Sequence, residues 1–333
     1  MTQDYLISKE NWDKILNELL GKYDVYAPVA AEDNQDYRFI LQDDIHQIIY
    51  NTPKPATPLK IFFLPVKENV VKKSASENPR LIIGSPSCDL AGLDLLDKIY
   101  LEEPFVDKFY QQRRENTILV GTSCFSTLEH CHCSSYGIKP FPEKNHDISL
   151  SVLDGQVTLQ INSDKGKNFF NEINHNNSFG EAEKQELEKI DTLRVSVTKE
   201  LSKTNQGLPD YSKTGELIKD TKKDIWEKYA KTCVSCGACA SICPTCTCFL
   251  LIDRPGFEKI RQLDGCQYPG FEQVAAGEDP LEERFVRFRN RYLCKYVWKP
   301  EKYESIACTG CGRCIEACIG NINKNELFRE LLT

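Results

Sequence analysis

The run Cys233-Val-Ser-Cys236-Gly-Ala-Cys239-Ala-Ser-Ile-Cys243-Pro244 constrains this chain more than any other stretch. It reads C-x2-C-x2-C-x3-C-P, the bacterial ferredoxin pattern for a [4Fe–4S] cluster. A second run follows at Cys308, Cys311, Cys314 and Cys318. Three thiolates at these gaps sit on one tight loop and reach different irons of one cube. The fourth lies a turn further on and faces the other cube. The spacing therefore pairs Cys233, Cys236 and Cys239 with Cys318, and Cys308, Cys311 and Cys314 with Cys243. Gly237 and Gly312 each follow the second cysteine of a run, where a small residue lets backbone N–H groups approach the sulfurs.

Other uses of these cysteines fit less well. Zinc sites space their C-x2-C pairs with a longer linker. Disulfides need an oxidising compartment, and MTQDYLISKENWDK opens the chain without the apolar core of an export signal. Cys239, Cys243 and Cys246 also spell C-x3-C-x2-C, the radical S-adenosylmethionine pattern. No repeated strand–helix units follow to build the barrel that such chemistry uses. The expected setting is a reducing cytoplasm with metal-bound thiolates. No apolar stretch approaches a membrane span, and a net charge of −7 disfavours nucleic acid as a partner.

Sixteen cysteines are present, so eight lie outside the two runs. Leu81–Ile83 and Ile118–Val120 read as buried strands, each delivering a cysteine just beyond its end, Cys88 and Cys124. Open α/β sheets place their ligands at that edge. With Cys131 and Cys133 on the following loop, these four make a third cube. His130 and His132 flank the pair and read as supporting residues, not ligands. Cys246, Cys248, Cys266 and Cys294 lack a local triplet. They read as packing around the clusters, with a fourth metal centre as the alternative.

The fold expected is α+β: a small N-terminal α/β domain over residues 1–200, then a helical two-cluster ferredoxin-like domain over 201–333. Residues 244–307 form a long insertion between the cluster motifs. Within the first part the reading places a helix near 11–23 capped by Asn11, a buried strand at Leu59–Pro65, a turn at Gly84–Ser87 and a hairpin turning at Asp154-Gly155. The basic stretch Arg284–Tyr292 is either a solvated helix face or a surface that offsets cluster charge or docks an acidic partner. No Walker run, no G-x-G-x-x-G and no Ser–His–Asp arrangement is visible, so neither a nucleotide site nor a substrate site is expected in this chain.

The stretches SPSCDLAGLDLLDKIYLEE, VGTSCFSTLEHCHC, CVSCGACASICPTCTCF, DGCQYPGF, FRNRYLCKYVW and CTGCGRCIEACIGNI together resemble one family. The chain is similar to the beta subunits of sulfhydrogenases, the NAD(P)-linked nickel–iron hydrogenases, and to the corresponding iron–sulfur subunits of anaerobic sulfite reductases. FRNRYLCK points to the hydrogenase branch. The resemblance implies an electron-transfer role, linking an FAD- and NAD(P)-binding partner to a catalytic subunit of the hydrogenase or sulfite reductase type. Cys318-Ile319 departs from the family pattern, since ferredoxin runs usually carry Pro there.

Overall fold

The structure is a computed structural model, and it describes residues 3–32, 34–71, 78–174, 176–220 and 223–333. The chain is α+β, with a sheet-rich N-terminal part and a helical C-terminal part. β1 (Asp4–Ser8) leads into α1 (Lys9–Leu19). The N-cap is Ser8, whose Oγ accepts from Asn11 N at 3.3 Å, and not Asn11 itself. α1 buries Trp12, Ile15, Leu16 and Leu19, a 3–4 spacing that puts all four on one face. β2 (Asp24–Ala31) and β3 (Asn34–Phe39) follow as an antiparallel pair.

Leu59–Pro65 does not form the expected strand. Leu59–Phe62 is a 3-10 turn, closed by Ile61 N on Pro58 O and Phe63 N on Lys60 O. Prolines bracket the run, and Asp89 accepts from Leu59 N at 3.1 Å. The turn sends Lys60 inward to Ala240 O and Cys246 O, at 3.2 and 3.1 Å. A strand register would not bring it there.

The central strands are β5 (Arg80–Pro86) and β6 (Thr117–Thr122), with β4 (Lys67–Asn69) before them. Gly84 to Ser87 is no turn. β5 runs through a bulge at Gly84 to Pro86, and α2 (Ser87–Tyr100) starts at once. α3 (Lys108–Glu115) returns the chain to β6. β7 (Ile148–Leu153) and β8 (Gln156–Ile161) form the hairpin turning at Asp154-Gly155, both at positive φ. α4 (Asp164–Ile173) and the short β9 (Gly180–Glu181) complete this part. The eight strands run in the order β3-β2-β5-β6-β7-β8-β1-β9. β2, β5, β6 and β7 are parallel neighbours.

α5 (Lys184–Thr204), α6 (Tyr211–Asp220) and α7 (Lys223–Ala230) lead to the first cysteine run. Within that run lies the single turn α8 (Ala238–Ser241). The insertion contributes the hairpin β10 (Phe249–Arg254) and β11 (Glu258–Leu263), then α9 (Arg284–Leu293). A π-helical turn, Cys294–Trp298, joins α9 to α10 (Lys299–Tyr303). α11 (Arg313–Glu316) sits in the second run, and α12 (Lys324–Glu330) closes the chain.

The two parts are interlocked. β4, from the N-terminal part, is the third strand of the hairpin sheet, pairing Ile260 with Asn69. Glu68 binds both Arg113 and Arg261, and all three side chains are buried. One hydrophobic cluster takes Cys88, Ala91 and Tyr136 from the first part and Trp226, Tyr292 and Phe328 from the second. α5 itself spans residue 200, where the sequence reading divides the chain. Among the described residues no helix is long and apolar enough to cross a membrane.

Candidate iron–sulfur sites

Both cysteine runs fold alike, residue for residue. Ser235 and Gly310 precede the second cysteines at φ 54° and 65°, and Gly237 and Gly312 follow them at 72° and 80°. Each glycine opens a one-turn helix carrying the third cysteine, Cys239 on α8 and Cys314 on α11. Left-handed residues on either side of a cysteine turn backbone N–H groups toward one point, as anion-binding nests do.

Cys233, Cys236, Cys239 and Cys318 line one cavity, together with Arg291, Tyr292 and Gly320. These are the four thiols that the spacing pairs. Ile322 N donates to Cys318 Sγ at 3.3 Å. The complementary ring gathers beside it. Thr245 Oγ1 donates to Ala307 O at 2.6 Å, which holds the Cys243 end of the first run against the start of the second. Cys311 lies within electrostatic reach of Cys243 and Cys314, and Tyr136 and Tyr296 hydrogen-bond to Cys308.

A third ring lies at the sheet edge. Pro86 of β5 pairs with Thr122 of β6, so Cys88 and Cys124 each stand two residues beyond a paired position. Cys131 and Cys133 close the same cavity, which also contains Lys54, Gly310 and Cys311. This ring therefore abuts the second cysteine run. His132 N donates to Gly310 O at 2.8 Å across the contact. A methyl group on Gly310 would lie 2.5 Å from His132 O, and one on Gly312 2.5 Å from His130 O. Gly310→Ala is expected to lower stability by roughly 1–3 kcal/mol, from left-handed strain plus the displaced loop. An unchanged urea midpoint in the apo chain would contradict that packing.

Buried cations surround the rings. Lys295 donates to Cys243 Sγ at 3.0 Å, to Thr245 Oγ1 at 2.8 Å and to Ala307 O at 2.9 Å. Burial acts against its charge, but Cys243 and Cys246 more than offset this and hold it protonated. Arg291 is buried beside Cys239 and Cys314, bonded to Cys239 O at 3.3 Å, and its Nε has no partner among the described residues. Lys324 is buried between His132 Nε2 at 2.7 Å and Tyr136 Oη at 3.2 Å. His132 Nδ1 donates to His130 O at 2.7 Å, so Nε2 is the acceptor and the ring supports Lys324. Two further cations bridge the parts: Lys54 to Glu316 at 2.7 Å, and Arg313 to Asp89 at 2.5 and 2.8 Å.

Lys295, Arg291 and Lys324 have thiols, hydroxyls, a ring nitrogen, an amide or backbone carbonyls as partners, and no carboxylate in those bonds. An uncompensated buried charge costs several kcal/mol. Anionic thiolate-bound clusters supply the missing charge, so the residues present fit such groups. The thiols themselves are shaped by burial, which pushes Cys239 up to about 11, and Cys133 and Cys311 up to about 12. Cys243 goes the other way, held well below the usual thiol value first by its hydrogen bond with Cys246 and then by Lys295. Thiols bound to iron lose their protons, so cluster loading releases protons and favours higher pH.

The basic stretch is turned inward in part: α9 buries Arg287 and Arg291, while Arg284 is exposed and Arg289 half-buried. Sequence reasoning missed Lys54, Lys60, Lys295 and Lys324. The available signal was position, since Lys295 follows Cys294 and Lys60 interrupts an apolar run.

Two interlocked cysteine runs, lined by inward-facing cations, fit an iron–sulfur electron-transfer subunit. Residues 232–322 match the 4Fe–4S dicluster domain family. Over 98% of its length the chain is 31% identical to the beta subunit of sulfhydrogenase 2 from Pyrococcus furiosus, covering 97% of that protein. The chain belongs to the sulfhydrogenase beta-subunit family and carries [4Fe–4S] clusters.

Proposed function

We propose that this protein relays electrons from an FAD- and NAD(P)-binding partner to a nickel–iron hydrogenase catalytic subunit, or back, in a cytoplasmic complex. Three cubes carry the relay. Cys233, Cys236, Cys239 and Cys318 hold one; Cys308, Cys311, Cys314 and Cys243 hold the second; Cys88, Cys124, Cys131 and Cys133 hold the third. The observation that carries this reading is contiguity. Cys314 lines the first cavity and Cys311 the third, so the middle ring shares a wall with both. Clusters of this kind span roughly −700 to +450 mV, a range that includes the nicotinamide, flavin and hydrogen couples. When bound, the cubes supply one-electron storage. The chain's own residues hold them, exclude water and set their charge environment.

The third ring gives the N-terminal part a redox role. Cys88→Ser with Cys131→Ser is expected to lower the iron of the anaerobically purified chain by about four per molecule, one cube's content. It should also remove one component of the reduced-state magnetic resonance spectrum. Unchanged iron and an unchanged spectrum would make the sheet edge structural only. The isolated chain should accept electrons from a reduced flavoprotein and show no hydrogen turnover; turnover by the chain alone would contradict the relay.

A further inference from the structure

Cys246, Cys248, Cys266 and Cys294 remain outside these three rings. The hairpin brings two of them together. Phe249 pairs with Leu263 at its base, and Asp264 N donates to Cys248 O at 2.9 Å. Cys266 lies two residues on, and its thiol is hydrogen-bonded to that of Cys248. Cys246 enters on the same stretch, two residues before Cys248, and Cys294 stands where α9 passes into the π-helical turn. Both lie within electrostatic reach of the Cys248 thiol. Single π turns inside helices occur often at functional sites, where they redirect a side chain.

Polar bonds clamp the segments that carry these thiols. Lys299 donates to Thr245 O at 2.7 Å and to Thr247 Oγ1 at 3.0 Å, tying the helix beyond Cys294 to both sides of Cys246. Gln267 donates to Arg287 O at 2.8 Å, fixing the Cys266 loop on α9. Buried Lys60 bonds Cys246 O and Ala240 O, and neither is a carboxylate. Thiols set against one another by polar clamps are not the apolar packing expected from sequence.

We infer that Cys246, Cys248, Cys266 and Cys294 bind a fourth iron–sulfur cube, built on the base of the β10–β11 hairpin and the π turn. Four Cys thiolates take either zinc or a cube. The cube is assigned because this ring shares a wall with the relay: the Cys246 thiol is hydrogen-bonded to that of Cys243, and Cys266 neighbours Cys239. A redox centre there would adjoin a ligand of each ferredoxin cube and make the relay branched. The assignment does not depend on the sheet-edge cube, and iron counting separates the two.

The test is iron, zinc and acid-labile sulfide on the full chain, purified anaerobically after cluster reconstitution. Wild type should hold about sixteen iron, four cubes of four. Cys248→Ala with Cys266→Ala should hold about four fewer, with equal loss of sulfide and of one spectral component. The Cys88/Cys131 variant should lose its own four, and the combined variant about eight. The fourth cube is overturned if the Cys248/Cys266 variant keeps wild-type iron and sulfide, or if it loses about one zinc and no iron. A Cys88/Cys131 variant with wild-type iron would instead count against the sheet-edge cube alone. Should the double variant fail to fold, Cys294→Ala removes a single half-buried thiol and carries the same test. Loss of roughly one to four iron with an altered spectrum supports the cube; wild-type iron and spectrum overturn it.

Discussion

Asp89→Ala is expected to destabilise the chain by about 3–5 kcal/mol, the cost of leaving a buried ion-pair partner alone. Asp89 and Arg313 are essentially without solvent contact. Arg313 places both Nη atoms on the carboxylate and its Nε on Pro55 O at 2.9 Å. Asp89 also accepts from Leu59 N at 3.1 Å. Removing it strands a guanidinium between Cys88 and Cys311 and releases the 3-10 turn that delivers Lys60. Asp89→Ala combined with Arg313→Met should recover much of the loss, because no charge is then left unpaired. Anaerobic urea unfolding of the wild type and these two variants checks this. Equal losses in the single and double variants would mean that packing alone, and not the charge pair, joins the two parts.

Lys295→Met should lower the reduction potential of the cube held by Cys308, Cys311, Cys314 and Cys243 by about 100 mV. Lys295 Nζ stands 3.0 Å from Cys243 Sγ and is buried. A unit charge acting on an added electron across about 5 Å would be worth ~3 kcal/mol at an effective dielectric constant near 20. At about 59 mV per tenfold for one electron, that is on the order of 100 mV. The sign follows from charge: reduction adds a negative charge, which the lysine favours, so its removal makes reduction harder. Met keeps most of the volume. A redox titration followed by magnetic resonance reads the shift directly. A potential within about 20 mV of wild type would show that Lys295 is neutralised or screened.

The chemistry of this chain was far more legible in its sequence than its electrostatics. The two runs announce themselves because the gaps within each are short, so the ligand loop is a local object. Cys88 and Cys124 were readable for another reason: each follows a buried apolar strand, and parallel neighbours present their ends together. Cys246, Cys248, Cys266 and Cys294 offered no such signal. Their meeting depends on a hairpin register and a π turn, both set by tertiary packing. The buried lysines were hidden by a sound default, since lysine is seldom buried unless it is paired. Here the partners are one thiol, hydroxyls, a ring nitrogen, backbone carbonyls and, for Lys54, the Glu316 carboxylate, drawn from distant parts of the chain. Leu59–Pro65 misled because a short apolar run between prolines suits a strand or a turn equally. The turn is held by Asp89, which accepts from Leu59 N, and it directs Lys60 to two backbone carbonyls.

The relay itself is tested most directly by anaerobic reductive titration of the isolated chain, following its visible charge-transfer absorption. Bound cubes should bleach stepwise and take up at least about two electrons per chain, one for each cube of the dicluster domain. Reoxidation should restore the spectrum. A chain that binds zinc without iron or acid-labile sulfide, and takes up no electrons, would contradict the account.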